Sequence, residues 1–464
     1  MLVNKSLQHS LDYSMVALSL PPSPKTDLIG GHFRSFRKDP TGFLTAQARL
    51  GDVSFLRMGA QPVYVASHPD LVRDVLVVNA HKFVKGRALQ RAKALLGEGL
   101  LTSEGDFHLR HRRMIQPAFH RNRIAEYSRA MVEAAAKMAS GWSDGETVDV
   151  DREMMRLTLQ IVGRTLFSAN IEDDADDVGA AMTTFAGLFN FLLLPYSEWL
   201  QKLPLPQTRR FNRARDTLNS IIYGMIEERR RSGADAGDLL SMLLLAQDEQ
   251  GGGGMSDEQV RDEALTLFLA GHETTANALT WTWFLLSQNP EKEAKLNAEL
   301  THVLAGRDPS FEDLEQLKYT EAVLAESMRL FPPAWTVGRL SLEPHELGGF
   351  PIPKNALVLM SQYVIHRDPR FWDDAEEFMP ERWAVQGIKE ASQRYIYFPF
   401  GSGVRRCIGE GFAWTEGILL LATLAQKWKL RLVNDQKIGL SPMITLRPKY
   451  GMRMHLSERD LGSV

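Results

Sequence analysis

The sequence predicts a mainly α-helical fold with a small β-rich portion. Most of the chain carries the apolar spacing of helices, and one helical pattern near the middle is unusually long. Strand patterns are confined to two places. Val53–Met58 and residues 63–66 flank a Gly-Ala-Gln-Pro turn and predict a hairpin. Leu357–Met360 predicts a second β region, although so short an apolar run also fits a buried helix.

The composition narrows the class of protein without identifying it. The chain has 464 residues, of which 44% are apolar, so length alone would predict two or three domains with large cores. A net charge of −3 gives no reason to expect nucleic acid as a partner. The first twenty residues contain neither a membrane-spanning run nor a signal-peptide layout. We therefore expect a cytoplasmic protein without a transmembrane anchor.

The long helical pattern begins and ends at clear signals. Ser256 and Gln259 have the spacing of a capping box, and Asn289-Pro290 stops the pattern after about Gln288. That is about nine turns, or roughly 50 Å. In its middle, residues 270–275 read Ala-Gly-His-Glu-Thr-Thr and include several poor helix formers. We expect a local widening of the helix at a ligand; the alternative is a weak spot that the fold tolerates.

Cys407 is the only cysteine in the chain, which excludes internal disulfides, cysteine-based zinc sites and iron–sulfur clusters. A lone cysteine is most often a small buried apolar residue. This one lies among glycines and arginines, directly before an apolar helical segment, where N–H groups and the helix dipole stabilise a thiolate. Arg405 and Arg406 are permanent cations, suited to pair with the carboxylates of a cofactor.

The residues around the cysteine resemble the haem-binding loop of the cytochrome P-450 superfamily. Residues 400–409 read Phe-Gly-Ser-Gly-Val-Arg-Arg-Cys-Ile-Gly and fill every fixed position of the pattern F-x-x-G-x-R-x-C-x-G. The resemblance implies one domain over residues 1–464, irregular at 1–30, with haem b between the long oxygen-binding helix and the helix after the cysteine. It implies Cys407 as the axial iron ligand, and Phe400, Gly401 and Arg405 as haem-binding residues.

The middle of the long helix is similar to the family's oxygen-binding motif, A/G-G-x-D/E-T. The resemblance implies that Gly271 leaves space beside the iron, that Thr274 hydrogen-bonds the oxygen, and that Glu273 belongs to the proton relay. Because splitting dioxygen needs protons, an acid and an alcohol together favour a monooxygenase. Two other classes stay open: a peroxygenase or isomerase, whose turnover would not depend on Thr274, and a non-enzymatic haem sensor or carrier.

Two further motifs concern the scaffold. Glu326 and Arg329 lie three residues apart on one predicted helix face, a spacing that is common in solvated ion pairs. Arg382 lies in the segment Phe-Met-Pro-Glu-Arg-Trp at 378–383. These segments resemble the family's E-x-x-R and P-E-R-F elements, with tryptophan in place of the last phenylalanine. The resemblance implies a buried network of the three charged residues that holds the loop under the haem, a structural and not a catalytic role.

The haem carboxylates need cations or hydrogen-bond donors. Besides Arg405, the resemblance implies Arg339, which follows the E-x-x-R helix, and the pair His108 and Arg112, which resembles the family's W-x-x-x-R helix. His108 stands where many members have tryptophan, and histidine can still donate to a carboxylate.

The length leaves no room for a fused reductase, so the resemblance implies a separate electron donor of the ferredoxin or flavodoxin type. A basic face on the cysteine side of the haem would suit an acidic donor, and an ordinary solvated face is the alternative. Its candidates are Arg110, Arg113, Arg121, Arg123 and Arg406.

The substrate pocket is expected from several separated segments: residues 83–101, 185–205, 265–270, 333–337 and 443–444. The apolar stretch 185–205 either forms an ordinary buried helix end or lines an apolar access channel. Few charges occur in these segments, which favours a small-molecule substrate that is apolar and either bulky or long, besides dioxygen. Arg87 and Lys85 are candidates to hold a carboxylate at the channel mouth. Several motifs, including Thr-Leu-Arg-Pro at 445–448, resemble fatty-acid and eukaryote-like members of the family more than camphor-type ones, so we expect a fatty acid first and a terpenoid or steroid second. The pocket candidates are Leu265, Phe268, Leu269, Ala270, Trp335, Val337 and Met443.

Overall fold

The computed structural model of the chain describes residues 20–26, 30–169, 181, 184, 203, 205–233, 235–248 and 253–459. The predicted fold class is correct, since helices dominate and the strands form small sheets. Most of the expected irregular segment 1–30 lies outside the described residues, and the single domain stays a prediction. The α-helices are Phe33–Lys38, Pro40–Ala48, Pro69–Arg73, Arg87–Leu96, Gly105–Ile115, Arg121–Gly141, Val150–Leu166, Pro206–Ser232, Leu239–Leu245, Asp257–Gln288, Pro290–Leu304, Lys318–Leu330, Gln362–Ile365, Arg382–Gln386, Ile388–Gln393 and Glu410–Lys427.

Both predicted β regions are confirmed, and they belong to one sheet. The hairpin pairs Val53–Met58 with Gln61–Ala66 in antiparallel register, around a turn in which Gly59 has φ +62°. Leu357–Met360 runs parallel to the second hairpin strand and antiparallel to Val337–Ser341. Phe83–Lys85 pairs with the other side of Val337–Ser341 and is an edge strand of the sheet.

Smaller sheets complete the β portion. They pair Trp428–Leu432 with Arg453–Glu458 and Thr147–Asp149, Leu440–Pro442 with Leu446–Pro448, His345–Leu347 with Phe350–Ile352, and Gln247–Asp248 with Gly253–Gly254. The last of these pairs includes residues 253–254 of a run of four glycines, whose residues 251–252 lie outside the described residues.

The long helix, Asp257–Gln288, has the predicted ends. Ser256 accepts from the backbone of Gln259 and the Gln259 side chain accepts from Ser256, so the capping box is complete. The helix ends at Asn289 before Pro290. The expected widening is wrong, because α-helical geometry continues through residues 270–275. Threonine hydroxyls bond back to carbonyls one turn earlier and accommodate this stretch without a break.

The core surrounds the long helix. Val150–Leu166 crosses it closely enough for the Thr158 hydroxyl to donate to the His272 carbonyl at 3.0 Å. The cysteine helix, Glu410–Lys427, buries Leu419, Leu420 and Leu421 completely and packs on Arg121–Gly141. Within the described ranges, no helix is long and apolar enough to cross a membrane.

Candidate active site

A cavity of about 1980 Å³ lies between the long helix and the cysteine loop. Thr274 of the long helix and Cys407 of the loop both line it. The structure therefore brings the two main sequence-predicted motifs together across one space, although Thr274 and Cys407 lie 133 positions apart in the chain.

The backbone of the cysteine loop is shaped by glycine. The Cys407 N–H donates to the Phe400 carbonyl at 2.9 Å and closes the loop. Gly401 and Gly403 have φ of +69° and +66°, which other residues rarely adopt. A Cβ on Gly403 would lie 2.0 Å from the carbonyl oxygen of Leu76, so only glycine fits there. These contacts hold the sulfur at the surface of the cavity.

The helix terminus favours a thiolate at Cys407, as expected, but its effect is smaller than that of burial. Burial raises the pKa of the thiol to about 11, although the Gly409 N–H, Arg112 and Arg406 all act to lower it. Glu410 adds to the rise. A thiol with this pKa is deprotonated at neutral pH only when a metal cation binds its sulfur.

Five nitrogen-bearing side chains line the cavity together and form what we call the cation cluster: Lys85, His108, Arg112, Arg339 and Arg405. Lys85 and Arg339 are direct neighbours across two antiparallel strands. Arg405 pairs with Glu104 and donates to the Ser103 carbonyl at 2.9 Å. Among the described residues, Glu104 is the one carboxylate that hydrogen-bonds a member of this cluster. The four permanent or potential cations therefore share one directly bonded carboxylate, and Glu263, which also acts on Lys85, is itself held by His111.

The pKa values show the effect of this imbalance. Burial, and next the positive charge of Arg405, lower the pKa of Lys85 to about 7, that of His108 to about 3 and that of Arg339 to about 10. His108 is therefore neutral and keeps one ring N–H as a donor. Buried like charges are costly unless an anion joins them, so the cluster favours a ligand with carboxylates.

These residues fit haem. The Cys407 sulfur at the surface of the cavity would bind the iron when haem is present, and the cation cluster would pair with the two haem carboxylates. His108, Arg112, Arg339 and Arg405 were predicted in this role, and Lys85 was not.

Lys85 lies elsewhere than expected. Its ammonium is buried and donates to the Leu100 carbonyl at 2.7 Å, inside the cation cluster and not at a channel mouth. The pairing of its strand with Val337–Ser341 sets this position, and nothing in the local sequence shows that pairing. Arg87, at the start of the next helix, is exposed and does line the cavity.

The oxygen-binding motif divides between two faces of the long helix. The Thr274 hydroxyl donates to the Ala270 carbonyl at 2.7 Å, so its oxygen keeps lone pairs for a partner in the cavity. Gly271 was expected to leave space beside the iron. A Cβ there would instead project toward Val162 and meet its methyl group at 3.0 Å. The glycine permits close helix packing, and only its backbone borders the cavity.

The Glu273 carboxylate accepts hydrogen bonds from two residues near the C-terminus of the chain. One carboxylate oxygen accepts from the Thr445 hydroxyl at 2.5 Å and from the Arg447 guanidinium at 2.9 Å. Asn277, one turn later, donates to the same hydroxyl. The predicted acid is therefore held in an ion pair with a partner that sequence reasoning did not identify, because the two lie 174 residues apart.

Glu326, Arg329 and Arg382 form a buried network. Arg329 binds both carboxylate oxygens of Glu326 at 2.8 and 2.9 Å, and Arg382 binds one at 2.9 Å. Glu326 and Arg329 have no exposed side-chain surface. The remaining guanidinium N–H groups of Arg329 donate to the carbonyls of His366, Ala375 and Glu377.

This network reaches toward the cysteine loop through backbone contacts. The His366 ring accepts from the Phe398 N–H at 2.9 Å, and the Tyr397 hydroxyl donates to Ala325 at 3.0 Å. Phe398 lies two residues before Phe400, at which the loop starts. The arrangement agrees with the structural role that the sequence suggested.

Most of the predicted substrate residues line the cavity. Leu269, Ala270, Trp335, Val337 and Met443 do so, and the Trp335 indole donates to the Met443 carbonyl at 3.0 Å. The predictions for Leu265 and Phe268 are wrong. Both are buried on the opposite helix face, where Phe268 packs edge-on to Phe167. The cavity face follows the helical period and instead includes Thr266 and Leu267. Nearly all of the stretch 185–205 lies outside the described residues.

The expected basic face is partly compensated. Arg110 donates to the Gly253 carbonyl, Arg121 pairs with Glu315, Arg123 with Glu126, and Arg406 with Glu410. Arg113 is exposed. The surface therefore alternates in sign, and its use by an electron donor stays a prediction.

Comparisons with known proteins agree with this geometry. The family model Cytochrome P450 matches residues 21–453. Cyclooctatin synthase of Streptomyces melanosporofaciens is 42% identical over 422 residues, covering 90% of this chain and 91% of that protein. Cyclooctat-9-en-7-ol 5-monooxygenase of the same organism is 40% identical over 403 residues, covering 86% and 87%. Pentalenene oxygenase of Streptomyces avermitilis is 35% identical over 435 residues, covering 93% and 96%.

Proposed function

The chain belongs to the cytochrome P450 family and is a haem monooxygenase, and on that premise we propose that it hydroxylates a neutral polycyclic terpenoid. The observation that carries the proposal is the set of names of its relatives, which specify cyclooctat-9-en-7-ol and pentalenene. This was the second of the two substrate classes that the sequence suggested.

The cavity lining supports a bulky apolar substrate. The long helix contributes Leu267, Leu269 and Ala270, and residues 333–337 and 443–444 add mainly apolar side chains. Glu273 also borders the cavity, but its charge is compensated by Arg447. A hydrocarbon ring system meets matching surface here and leaves few polar groups unpaired.

A fatty acid fits this cavity less well than the sequence suggested. Lys85 lies in the cation cluster, where the haem carboxylates need it, and this removes one of the two residues proposed to hold a substrate carboxylate. Arg87 remains as an exposed cation on the lining and is the observation that keeps the fatty acid as a second candidate.

The chain's own residues would act as follows. When bound, haem supplies the iron at which dioxygen is activated and the substrate C–H bond is oxidised. Cys407 would hold that iron, and the cation cluster would hold the haem carboxylates. Thr274 would offer its hydroxyl oxygen to a hydrogen-bond donor in the cavity, and Glu273 would supply protons to it. Phe400 and Gly401 would position the cysteine loop.

Electrons would come from a separate protein of the ferredoxin or flavodoxin type, approaching on the cysteine side. That donor and a cytoplasmic location stay predictions.

An optical titration of the ferric, haem-loaded protein tests the substrate class. The probes are pentalenene, a steroid and a long-chain fatty acid, and the readout is the change in haem spin state when substrate displaces the axial water. We expect saturable conversion by the terpenoid. Conversion by the fatty acid alone, lost in Arg87→Gln, would establish the second candidate and overturn the first.

A pair of leucine variants locates the binding site. Leu267→Phe narrows the cavity and should weaken terpenoid binding, whereas Leu265→Met changes a side chain on the core face of the same helix and should not. Equal effects of the two changes would place the terpenoid outside this cavity.

A further inference from the structure

Part of the cavity wall is a loop. Residues 97–101, which we call the wall loop, follow the helix Arg87–Leu96, and two of them, Leu100 and Leu101, line the cavity. A loop has no regular ladder of backbone hydrogen bonds, so it keeps one shape only if other elements bind its N–H and C=O groups. The side chains that bind the wall loop therefore decide where this wall lies.

Charged side chains hold the backbone on both sides of Leu100. Its N–H donates to the Glu263 carboxylate at 2.9 Å, and its carbonyl accepts from the Lys85 ammonium at 2.7 Å. The other oxygen of Glu263 lies 2.7 Å from Nδ1 of the His111 ring. Burial raises the pKa of Glu263, and the hydrogen bonds from His111 and the Leu100 N–H oppose this rise. Glu263 has no exposed surface, so water does not compete for these bonds.

Glu263 lies on the same face of the long helix as the cavity. Leu267, Ala270 and Thr274 follow it four, seven and eleven residues later, so the four side chains project from one helix face. The last three line the cavity, whereas Glu263 is covered by the wall loop. Its carboxylate therefore lies where the loop meets the helix and ends the cavity.

Two further contacts press the wall loop onto this stretch of helix. The Glu98 N–H donates to the Asp262 carboxylate at 2.7 Å. A Cβ on Gly99 would lie 2.2 Å from the Thr266 hydroxyl oxygen and 2.6 Å from the Asp262 carbonyl oxygen. The loop backbone therefore touches the helix at Gly99, and no larger residue fits there without moving the loop.

We propose that Glu263 is a positioning residue for the substrate: by holding the Leu100 N–H against the long helix, it fixes Leu100 and Leu101 as a preformed wall and so sets which ligands the cavity accepts. A wall that is already ordered adds no ordering cost when a ligand binds. Without the carboxylate, a ligand that touches this wall must order it, whereas a ligand too small to reach it is unaffected. The inference rests on the cavity of the haem-loaded enzyme and not on the proposed terpenoid.

A buried acid with a purely structural role would behave differently. Glu293 is buried and pairs with Arg431 and Arg459. None of these three is among the described residues that line the cavity. Loss of Glu293 should therefore lower the stability of the protein without changing its choice of ligands.

The first test uses two compounds that bind the haem iron through an imidazole nitrogen, so it needs neither substrate nor turnover. Imidazole itself is small, whereas clotrimazole carries three aromatic rings. In Glu263→Leu, the dissociation constant of clotrimazole should rise about tenfold or more, and that of imidazole should stay within about twofold. The shift of the haem absorption band measures both constants. The matched control, Glu293→Leu, should leave both unchanged.

A conservative variant separates the hydrogen bond from the charge. In Glu263→Gln, the amide oxygen can accept from the Leu100 N–H while the amide NH₂ donates to the His111 ring. Clotrimazole should therefore bind about as tightly as in the parent. A Glu263→Leu protein that keeps the parent constants for both imidazoles, or that loses affinity for both alike, would overturn the proposal.

A second variant displaces the wall loop and keeps every buried charge, so it serves even if Glu263→Leu does not fold. Gly99→Ala adds a Cβ where Thr266 and Asp262 leave no room, and it should weaken clotrimazole and not imidazole. In the control Gly141→Ala, the added Cβ meets no described atom within 4 Å. Equal clotrimazole affinities in these two variants would contradict the role of the wall loop. Because neither imidazole is a terpenoid, the result is independent of the titration with pentalenene.

Discussion

Two buried groups of charges in this protein differ in how their charge is compensated. Glu326, Arg329 and Arg382 form a network in which the chain itself provides the partners, including carbonyl groups for the outward N–H groups of Arg329. The cation cluster has four cationic side chains, and among the described residues Glu104 is the one carboxylate hydrogen-bonded to them, since Glu263, which also acts on Lys85, is held by His111. The first group is complete without a ligand, and the second is not.

The difference separates a structural role from a binding role. A chain that buries charge for stability also supplies the opposite charge, because each buried unpaired ion costs several kcal/mol. A chain that buries charge for a ligand leaves part of the compensation to that ligand. Variants of the two groups should therefore respond in opposite ways to the removal of one charge.

The largest effect is expected in the complete network. Glu326→Ala leaves Arg329 buried without a counter-charge and should lower the free energy of unfolding by about 3–5 kcal/mol, with loss of stable haem incorporation. Glu321→Ala on the same helix removes a partner of Lys318 at the surface and should cost less than about 1 kcal/mol. Denaturant unfolding and haem content measure both. A fully loaded, stable Glu326→Ala protein would refute the structural assignment.

Removing a charge from the cation cluster should weaken haem binding and should not lower the stability of the haem-free protein. Lys85→Met takes away a buried ammonium that repels Arg405, so the haem-free protein should be no less stable than the parent. Haem should dissociate about 10- to 100-fold faster, as expected for one lost charge-assisted contact of about 1.5–3 kcal/mol. Lys82→Met, which alters an exposed pair with Glu343, serves as the control. If Lys85→Met instead destabilised the haem-free protein and left the rate of haem loss unchanged, Lys85 would have a structural role and not a haem-binding role.

The same lysine predicts a pH dependence. Its pKa in the folded, haem-free protein is about 7, below the usual value of 10.5, so the unfolded chain binds more protons between these two pH values. Stability of the haem-free protein should therefore rise with pH across that window, by at most about 1.4 kcal/mol per pH unit. Thermal unfolding at a series of pH values should show the rise in the parent and lose it in Lys85→Met. A parallel rise in both proteins would exclude Lys85 as its source.

A smaller effect is expected at Glu416, which has neither kind of compensation. It is completely buried in the cysteine helix, and neither carboxylate oxygen has a well-aligned hydrogen-bond partner among the described residues. Burial raises its pKa to about 8, which the Thr275 hydroxyl opposes only in part, so the folded protein holds a neutral acid.

Stability should consequently decline as pH rises from 4.5 towards 8, because the folded state keeps the proton that the unfolded chain releases. Glu416→Gln should remove this decline and stabilise the protein by about 1 kcal/mol at neutral pH. A Glu416→Gln protein with an unchanged pH profile of thermal unfolding would show that Glu416 is ionised in the fold.

The sequence alone was sufficient to predict the features that depend on residues close together in the chain. The ends of the long helix follow from Ser256, Gln259 and Asn289-Pro290, which act within one turn of each end. The cysteine loop follows from residues 400–409, because the glycine positions and the sulfur belong to one local shape.

Most of the wrong predictions concern residues whose positions depend on contacts between distant parts of the chain. Lys85 joins the cation cluster through a strand pairing with residues more than 250 positions away. Gly271 faces Val162 because of a helix crossing, and Glu273 meets Arg447 from the strand Leu446–Pro448. Leu265 and Phe268 could have been placed correctly from sequence, since the helical period puts them on the face opposite Ala270 and Thr274.

We infer that the carboxylates of the haem complete the cation cluster. The most direct measurement compares the binding of iron protoporphyrin IX and of its dimethyl ester to the haem-free protein, in the parent and in Lys85→Met. We predict that the parent binds the free acid at least roughly tenfold more tightly than the ester, and that Lys85→Met narrows this difference. Equal affinities for acid and ester in the parent would contradict the claim.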